Sequence, residues 1–428
     1  MIKYHFAFIL LLLIQTTQSQ ECKSNIQFSG FVKTDIFWDS RQTVDARDGH
    51  FLLYPKNEDF DVHGTDINSN SKFNILSIQS RVRFKANGPN SLGAKTYAFV
   101  EGAFFGNIGT DINGFRLRHA YIKLKWDKSE LLVGQYWHPM FVTTSFPATI
   151  SFNTGTPFQP FSRNPQLRYT KNLGDLFFSA SALSQIDFKD SGPSGANLQK
   201  ISNTKFVRNS GTPELNFNIS YKKENPNDKS NLLLGVFINY KRLSIDRIQY
   251  IGESTTLKEY SRNDVNGLSF MGIAKFKLKN YTFKLNYVHG QLLESMTMLG
   301  GYALTANNEQ NSFQDLELTP INTNSFWLDF HTNGTKWQYG VFCGLTKNKG
   351  LSDGSSMATE FYSRGSDIDF VYRISPRIIH NVGKLRLGLE FDVTTAAYGA
   401  TQNDGTVSNS KEITNYRGLI AFYYFFNT

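Results

Sequence analysis

Apolar and polar side chains alternate with a two-residue period in segments that recur from one end of the chain to the other. In KLRLGLEFDV, residues 384–393, five apolar side chains take every second position, and Arg386, Gly388, Glu390 and Asp392 lie between them. Successive side chains of an extended strand point to opposite faces. The segment therefore predicts a strand with an apolar medium on one face and water on the other.

About sixteen such segments follow the first 25 residues, and the connections between them alternate between short and long. Short ones include DKSE after Trp126, whereas long ones run from Asp39 to Lys72 and from Ser244 to Asp264. Tight turns at one end and long loops at the other are typical of an outer-membrane barrel. The sheet must close, because an open edge in hydrocarbon leaves peptide groups without partners. We predict an all-β fold, a sixteen-stranded antiparallel transmembrane β-barrel with short periplasmic turns and long external loops.

The N-terminal segment MIKYHFAFILLLLIQTTQSQ has Lys3, then an apolar run too short to cross a bilayer, then small residues. This pattern predicts a signal peptide of residues 1–19, cleaved on export, followed by one barrel domain of residues 20–428. The alternative is a secreted all-β sandwich or propeller, whose strands are typically only about five or six residues long.

Charge and motifs indicate which functions not to expect. The formal charge is +9 at pH 7, but the basic residues are spread along the chain without a polybasic tract of the nucleic-acid-binding type. No nucleophile elbow, zinc-protease motif or phosphate-binding loop occurs, and DFDVHGTD, residues 59–66, does not have the spacing of an EF-hand. We expect no nucleic-acid partner, cofactor, metal site or catalytic centre. A barrel enzyme remains the competing class, and it would need a nucleophile and a base brought together by the fold.

The connection after the fifth segment, from His138 to Pro165, carries five prolines and is half apolar. Proline fixes φ and limits the conformations that a loop can sample. A sixteen-stranded barrel leaves an aqueous channel wide enough to need narrowing. A stiff loop folded inward would narrow it, and an ordered external loop packed on a neighbouring element is the alternative.

Strand alternation assigns charged side chains to the lumen. In the segment from Phe73, apolar Leu76, Ile78, Val82 and Phe84 are predicted to face outward, which turns the basic residues between them inward. Arg116 and Arg118 fit the same rule if a bulge lies near His119 or if the environment changes at the end of the strand. The predicted pore-lining, substrate-contacting residues are Arg81, Arg83, Arg116, Arg118, Arg163, Arg168, Arg373, Arg377, Arg386 and Arg417. Acidic partners are expected at Asp35, Glu101, Asp329, Glu390 and Asp392.

The stretch from Leu131 to Gly174 has no acidic residue but contains Arg163, Arg168 and Lys171. A constriction built from it would favour anions, because basic rings attract anions and phosphates. The alternative is a nonselective pore whose charges pair with one another. Inward aromatic residues at Phe31, Phe37, Tyr423 and Phe425 keep open a second alternative, stacking of sugar rings.

VGQYWHPM and RNPQLRY, which flank the proline-rich connection, and the later RISPRI and TTAAYG resemble the DcaP-like trimeric porins of Gram-negative bacteria, especially those of Bacteroidetes. The resemblance covers essentially the whole mature chain, through loose patterns. It implies a sixteen-stranded homotrimer, an inward-folded third loop and diffusion of small, often anionic solutes. Some relatives carry a helical extension before the barrel; here the first strand is expected about six residues after the cleavage site.

Together, the basic lumen and the resemblance predict an outer-membrane porin that is surrounded by lipid and lipopolysaccharide. It would allow passive diffusion of small hydrophilic solutes and favour anions such as dicarboxylates or phosphate. Permeability to sugars or oligosaccharides is the alternative for the solute.

Overall fold

The computed structural model of the protein describes residues 25–106, 112–194, 199–250, 257–305, 317–354 and 358–427. The predicted signal peptide, residues 1–19, and the first residues of the predicted barrel domain lie outside these ranges. Within the described ranges, helical structure is limited to single turns at Ile67–Ser69, Lys205–Asn209 and Glu294–Met296. In the described ranges no helix has the length and apolar character to cross a membrane.

Sixteen strands of the described chain form one closed antiparallel sheet, in which the last strand pairs with the first. The second strand is interrupted, but both of its parts pair with the first strand. The strands are β1 (Asn25–Asp39), β2 (Lys72–Leu76 and Arg81–Asn87), β3 (Lys95–Ala103), β4 (Arg116–Lys125), β5 (Ser129–Trp137), β6 (Arg163–Leu173), β7 (Leu176–Leu183), β8 (Glu214–Glu224), β9 (Asn231–Tyr250), β10 (Lys258–Lys277), β11 (Tyr281–Gly290), β12 (Glu317–Thr332), β13 (Trp337–Leu351), β14 (Ile368–Val382), β15 (Leu385–Thr401) and β16 (Val407–Phe426). The predicted sixteen-stranded barrel is confirmed.

The two ends of the barrel differ in the length of their connections. Turns of two to seven residues close one end, which we call the short-turn end. The connections at the other end, the long-loop end, are L1 to L8 in chain order, at residues 40–71, 104–115, 138–162, 184–213, 251–257, 291–316, 352–367 and 402–406. The third of them, L3, is the proline-rich connection.

The predicted long loop from Ser244 to Asp264 is wrong. These two residues are paired across β9 and β10, and the ladder continues to the pair Tyr250 and Lys258. The sequence signal is missing there because both faces of this hairpin extension carry polar residues, while its backbone hydrogen bonding continues. Each of the two strands is 20 residues long.

The outer face of the barrel is apolar and its inner face is polar. On β15, Leu385, Leu387 and Leu389 are exposed on the outside, whereas Glu390 and Asp392 are buried inside. On β16, exposed outer side chains alternate in the same way with buried inner ones. This arrangement is the one required of a barrel that contacts hydrocarbon outside and encloses water and polar groups.

An interruption in β2 reverses the predicted direction of two of its side chains. Leu76 faces Asp35 of β1, and Arg81 faces Phe31, so five steps along β2 match four along β1. The extra residue, in the bend at residues 77–80, flips the alternation. Leu76 and Ile78 therefore pack inside the barrel rather than facing outward as predicted.

Candidate functional site

L3 lies across the interior of the barrel, held by inward-facing side chains from well-separated strands. The Lys33 ammonium of β1 donates to the carbonyl of Ile150 at 2.8 Å, and the Lys284 ammonium of β11 donates to that of Phe146 at 2.9 Å. The Glu390 carboxylate of β15 accepts the N–H of Ile150 at 2.5 Å. Charged groups thus satisfy the backbone of a loop that leaves the wall and crosses the lumen.

Two inward-facing glycines accommodate the apolar side chains of L3. A Cβ on Gly344 would lie 2.5 Å from the ring of Phe158, and a Cβ on Gly388 would lie 2.8 Å from the side chain of Ile150. Both distances are below normal contact between carbon atoms, so any side chain at these positions displaces the loop. The barrel wall and L3 are therefore fitted to each other at these two points.

We expect Gly344→Leu and Gly388→Leu to displace L3, because each places a side chain where the loop now packs. Single-channel current should become noisier and shift in amplitude while the barrel still folds. Gly418→Leu is the matched control, since nothing lies within 4 Å of a Cβ built on Gly418. Equal current traces from Gly344→Leu and Gly418→Leu would show that L3 does not depend on this seat.

A hairpin of L1, Thr43–Ala46 paired with Phe51–Pro55, packs against L3 on the long-loop side. The Leu52 N–H donates to Asn153 Oδ1 of L3 at 2.9 Å. The Arg373 guanidinium donates to the carbonyls of Leu53 at 2.8 Å and Thr156 at 2.7 Å, so one inward arginine joins both loops. L1 and L3 thus form one packed unit inside the barrel.

His50 of the L1 hairpin is a buried titratable group within this packed unit. Its ring stacks on Phe152 at a centroid distance of 4.7 Å, and Nε2 lies 3.5 Å from Asp35 Oδ2. Burial lowers the pKa of His50 to about 4; Asp35 opposes this shift, and Lys33 and Arg47 add to it. At neutral pH His50 is therefore uncharged.

His50 binds a proton less tightly in the packed hairpin than when it is exposed. The free energy that holds the hairpin in its packed position is therefore at its maximum above pH 6.5 and falls as the pH approaches 4. The loss amounts to roughly 3 kcal/mol at the acid limit. We expect loop-dependent current noise to rise between pH 6 and 4 in the wild-type channel. His50→Gln has no proton to gain, so the same acid-induced rise in that variant would contradict this assignment.

Between L3 and the inner faces of β2 to β5 lies a cavity of about 560 Å³. One wall carries Arg81, Arg83, Glu101 and His119, and the L3 wall contributes hydroxyl and aromatic side chains. The space combines a charged wall with an apolar and hydroxylated one. It is the place in the described interior where solvent reaches a row of arginines between wall and loop.

Glu101 is surrounded by basic groups. Its carboxylate accepts from Arg83 Nε at 2.6 Å and from Arg118 Nε at 2.6 Å, and Arg81 lies at 3.9 Å. One negative charge thus faces three guanidinium groups. Arg118 is fully buried, whereas the side chains of Arg81 and Arg83 are 16% and 29% exposed. The cavity wall therefore carries excess positive charge that water and solutes can reach.

Arg118 is the extra residue of a bulge between β3 and β4, where Glu101 faces His119 and the next pair is Gly102 with Leu117. A bulge near His119 is one of the two explanations that the sequence left open. It lets Arg116 and Arg118 both point inward, because two residues on the bulged strand match one on its partner.

Most of the other predicted arginines lie inside the barrel in buried contacts. Asp187 of L4 binds both Arg163, at 2.9 Å, and Arg116. Arg377 lies 2.9 Å from Asp329. Arg168 Nη2 donates to the Trp137 carbonyl at 2.6 Å and Arg386 Nε donates to Asn381 Oδ1 at 2.8 Å.

Part of the positive charge of the acid-free stretch, residues 131–174, is therefore neutralised by an acidic residue from elsewhere in the chain. Arg163 has Asp187, which lies beyond the stretch. Lys171 shares the outer face of β6 with Tyr169 and lines an outer groove, so it does not face the lumen. The excess positive charge comes instead from Arg81 and Arg83, on the opposite wall of the cavity.

Arg417 is an example of the arginines that stabilise the interior of the barrel through buried contacts. Its guanidinium binds both oxygens of Asp39, at 2.8 and 2.6 Å, and lies over the ring of Phe37, with all three side chains buried. Removing one partner of such a pair leaves the other charge buried and alone. We expect Arg417→Leu to lower the free energy of unfolding by about 3–5 kcal/mol. Urea unfolding followed by gel mobility would measure this, and a reversal potential that moved with little loss of stability would contradict it.

The aromatic residues considered for sugar stacking contact one another and nearby cations. The rings of Phe31 and Tyr423 are 6.0 Å apart, those of Tyr423 and Phe425 are stacked at 5.7 Å, and Phe37 is covered by Arg417. Of these four, Tyr423 lines the cavity, together with aromatic residues that the sequence did not indicate, among them Tyr121, Tyr136 and Trp137. Their strands alternate poorly near the bulge, which hid their direction.

A closed barrel of sixteen strands with a loop folded inside it is the architecture of porin-type channels. No family model and no curated protein matches the chain by sequence. Solved structures match its fold along nearly the whole length. The outer-membrane channel DcaP of Acinetobacter baumannii superposes with a TM-score of 0.66 at 15% identity, over 96% of this chain and 100% of that one.

An anion-selective porin from Comamonas acidovorans gives a TM-score of 0.52 at 11% identity, covering 94% of this chain and 100% of its own. The trimer form of OmpT, an outer-membrane protein of Vibrio cholerae, gives 0.53 at 10% identity, covering 94% and 99%. At these identities the similarity establishes the fold. The resemblance to the DcaP-like porins is thus supported at the level of the barrel.

Proposed function

We propose that the protein is an outer-membrane porin through which small hydrophilic solutes diffuse passively, with a preference for anions such as dicarboxylates or phosphate. The observation that carries the proposal is the cavity beside L3, where the accessible Arg81 and Arg83 outnumber the single carboxylate of Glu101. Basic groups in a narrow, partly dehydrated space concentrate anions and exclude cations. Of the ten predicted arginines, Arg81 and Arg83 would then select ions at this cavity, and the others would mainly stabilise the interior of the barrel.

The proposed location in the outer membrane follows from the apolar outer face and the polar inner face of the barrel. The apolar outer side chains would contact lipid and lipopolysaccharide, and the predicted signal peptide would direct export. By the usual arrangement of such barrels, the short-turn end would face the periplasm and the long-loop end the exterior. The names of the solved structures with this fold, a channel and an anion-selective porin among them, support this assignment.

We also propose that three copies assemble through the side of the barrel with the shortest strands. β3 and β5 have nine residues each and β7 has eight, against 20 for β9 and β10. The outer face of β3 presents the small residues Thr96 and Ala98, as neighbouring barrels in close contact would require. Size measurement in detergent tests this: Ala98→Trp should shift a trimer toward monomers, and a monomeric wild type would contradict it.

Solute uptake by liposomes tests the transport proposal. Liposomes that contain the purified protein should swell faster in a dicarboxylate than in a neutral sugar of similar size. Faster swelling in sugars would favour the sugar-permeable alternative. Hydrolysis of an ester or lipid substrate without solute entry would favour the enzyme alternative instead.

A further inference from the structure

The charges inside the barrel are distributed unevenly on the two sides of L3. Toward the long-loop end they are paired: Arg417 with Asp39, Lys241 with Asp190 at 2.7 Å, and Glu214 with His138 at 3.3 Å. These groups are buried, and their contacts fill the interior there. The charges of these six residues are therefore engaged in buried contacts and are not exposed to a solute.

Toward the short-turn end, the inner faces of β2 to β4 carry a strip of cations. The strip continues the constriction, because Lys85 follows Arg83 on β2, and Lys123 and Lys125 follow Tyr121 on β4. Lys95 shares the inner face of β3 with Tyr97, Phe99 and Glu101. Among the described inward-facing residues of β2 to β5 near the short-turn end, the carboxylate is that of Glu130. It lies 3.0 Å from the ammonium group of Lys123.

Two of these lysines face each other directly. Lys95 and Lys125 are opposite residues of the β3–β4 ladder, and both side chains are exposed. Opposite residues of an antiparallel pair have Cβ atoms about 5 Å apart, and like charges there destabilise the sheet. Lys85, beside the ring of Tyr97 at 4.9 Å, adds a third cation to the same patch. The fold thus maintains a local repulsion that a bound anion would relieve.

We propose that Lys85, Lys95, Lys123 and Lys125 form a binding site for soluble multivalent oxyanions of the oligophosphate class, at the short-turn mouth of the pore. The site deepens the proposed porin function and rests on it. Several lysines, each a flexible ammonium with three donors, suit a ligand that carries several charges and many acceptor oxygens. Because the lysines lie on the inner wall, the ligand reaches them from the aqueous lumen and not from the membrane.

The position of the patch predicts direction-dependent block. An oligophosphate that enters from the short-turn end meets the lysines before L3, whereas one from the other end must first pass the constriction. In single channels, we expect tripolyphosphate added on the short-turn side to block at about tenfold lower concentration than tripolyphosphate added on the long-loop side. Lys95→Gln/Lys125→Gln should raise the blocking concentration on the sensitive side by about tenfold. Folding is not at risk, since the change removes a repulsion.

Lys171→Gln/Lys223→Gln is the matched control, because both lysines are on the outer face in the same half of the barrel. Its block should equal that of the wild type. Unchanged block in Lys95→Gln/Lys125→Gln, or no tripolyphosphate block of a wild type that still favours anions in a salt gradient, overturns the site alone. A wild type with no anion preference overturns the proposed function as well.

Discussion

Replacing Arg81 and Arg83 together by glutamate is expected to reverse the selectivity of the channel from anions to cations. The substitution changes the accessible wall of the cavity from two positive charges and one negative charge to three negative ones, counting Glu101. Arg118, buried behind Glu101, compensates one of these three charges, so two negative charges remain in excess. Charge of one sign in a narrow cavity changes local ion concentrations by about tenfold or more. The permeability ratio measured in a salt gradient should shift by at least that factor.

Two further variants keep this prediction independent of folding problems. Arg81→Gln/Arg83→Gln introduces no like charges and should weaken the anion preference without reversing it. Arg81→Lys/Arg83→Lys preserves charge and should leave the preference in place. A glutamate variant that folds and still prefers anions would show that the ions pass elsewhere.

Shortening L3 is expected to give the largest change in conductance. If residues 143–154 are replaced by a short Gly-Ser linker, the segment anchored to Lys33, Lys284 and Glu390 is lost from the cross-section. A barrel of sixteen strands without an inner loop encloses a wide aqueous channel. Single-channel conductance should then roughly double or more, and selectivity should weaken because only one wall of the constriction remains.

A linker of the same composition that replaces the L8 residues 402–406 serves as the control, since that loop is a short connection between β15 and β16. Its conductance should match the wild type. Unchanged conductance after the L3 replacement would mean that L3 does not limit the flow, and that the L1 hairpin or another inner segment does.

Much of the barrel could be predicted from local alternation, because each wall residue is next to lipid on one face and the interior on the other. The segment at 384–393 forms β15 with the predicted faces, and Glu390 and Asp329 lie inside as expected. The proline-rich stretch forms L3, whose backbone binds the inward-facing Lys33, Lys284 and Glu390. These features depend on short segments of the chain, so periodicity and composition are sufficient to find them.

Other features depend on partners far away in the sequence. The bend at residues 77–80 reverses the side chains of β2 because of its pairing with β1, which alternation within one strand does not reveal. The partner of Arg163 is Asp187 in the next loop, and the L1 hairpin is buried by contacts that include L3 and Arg373. The inner surfaces follow from how the loops meet. They determine which of the ten arginines stay accessible.

The most direct test of the central claim is the reversal potential of the purified wild-type protein in a planar bilayer under a salt gradient. We predict stable conductance with a potential that favours the anion, because solutes pass Arg81 and Arg83 beside L3. A cation-favouring potential, or a folded protein that fails to conduct, would contradict it.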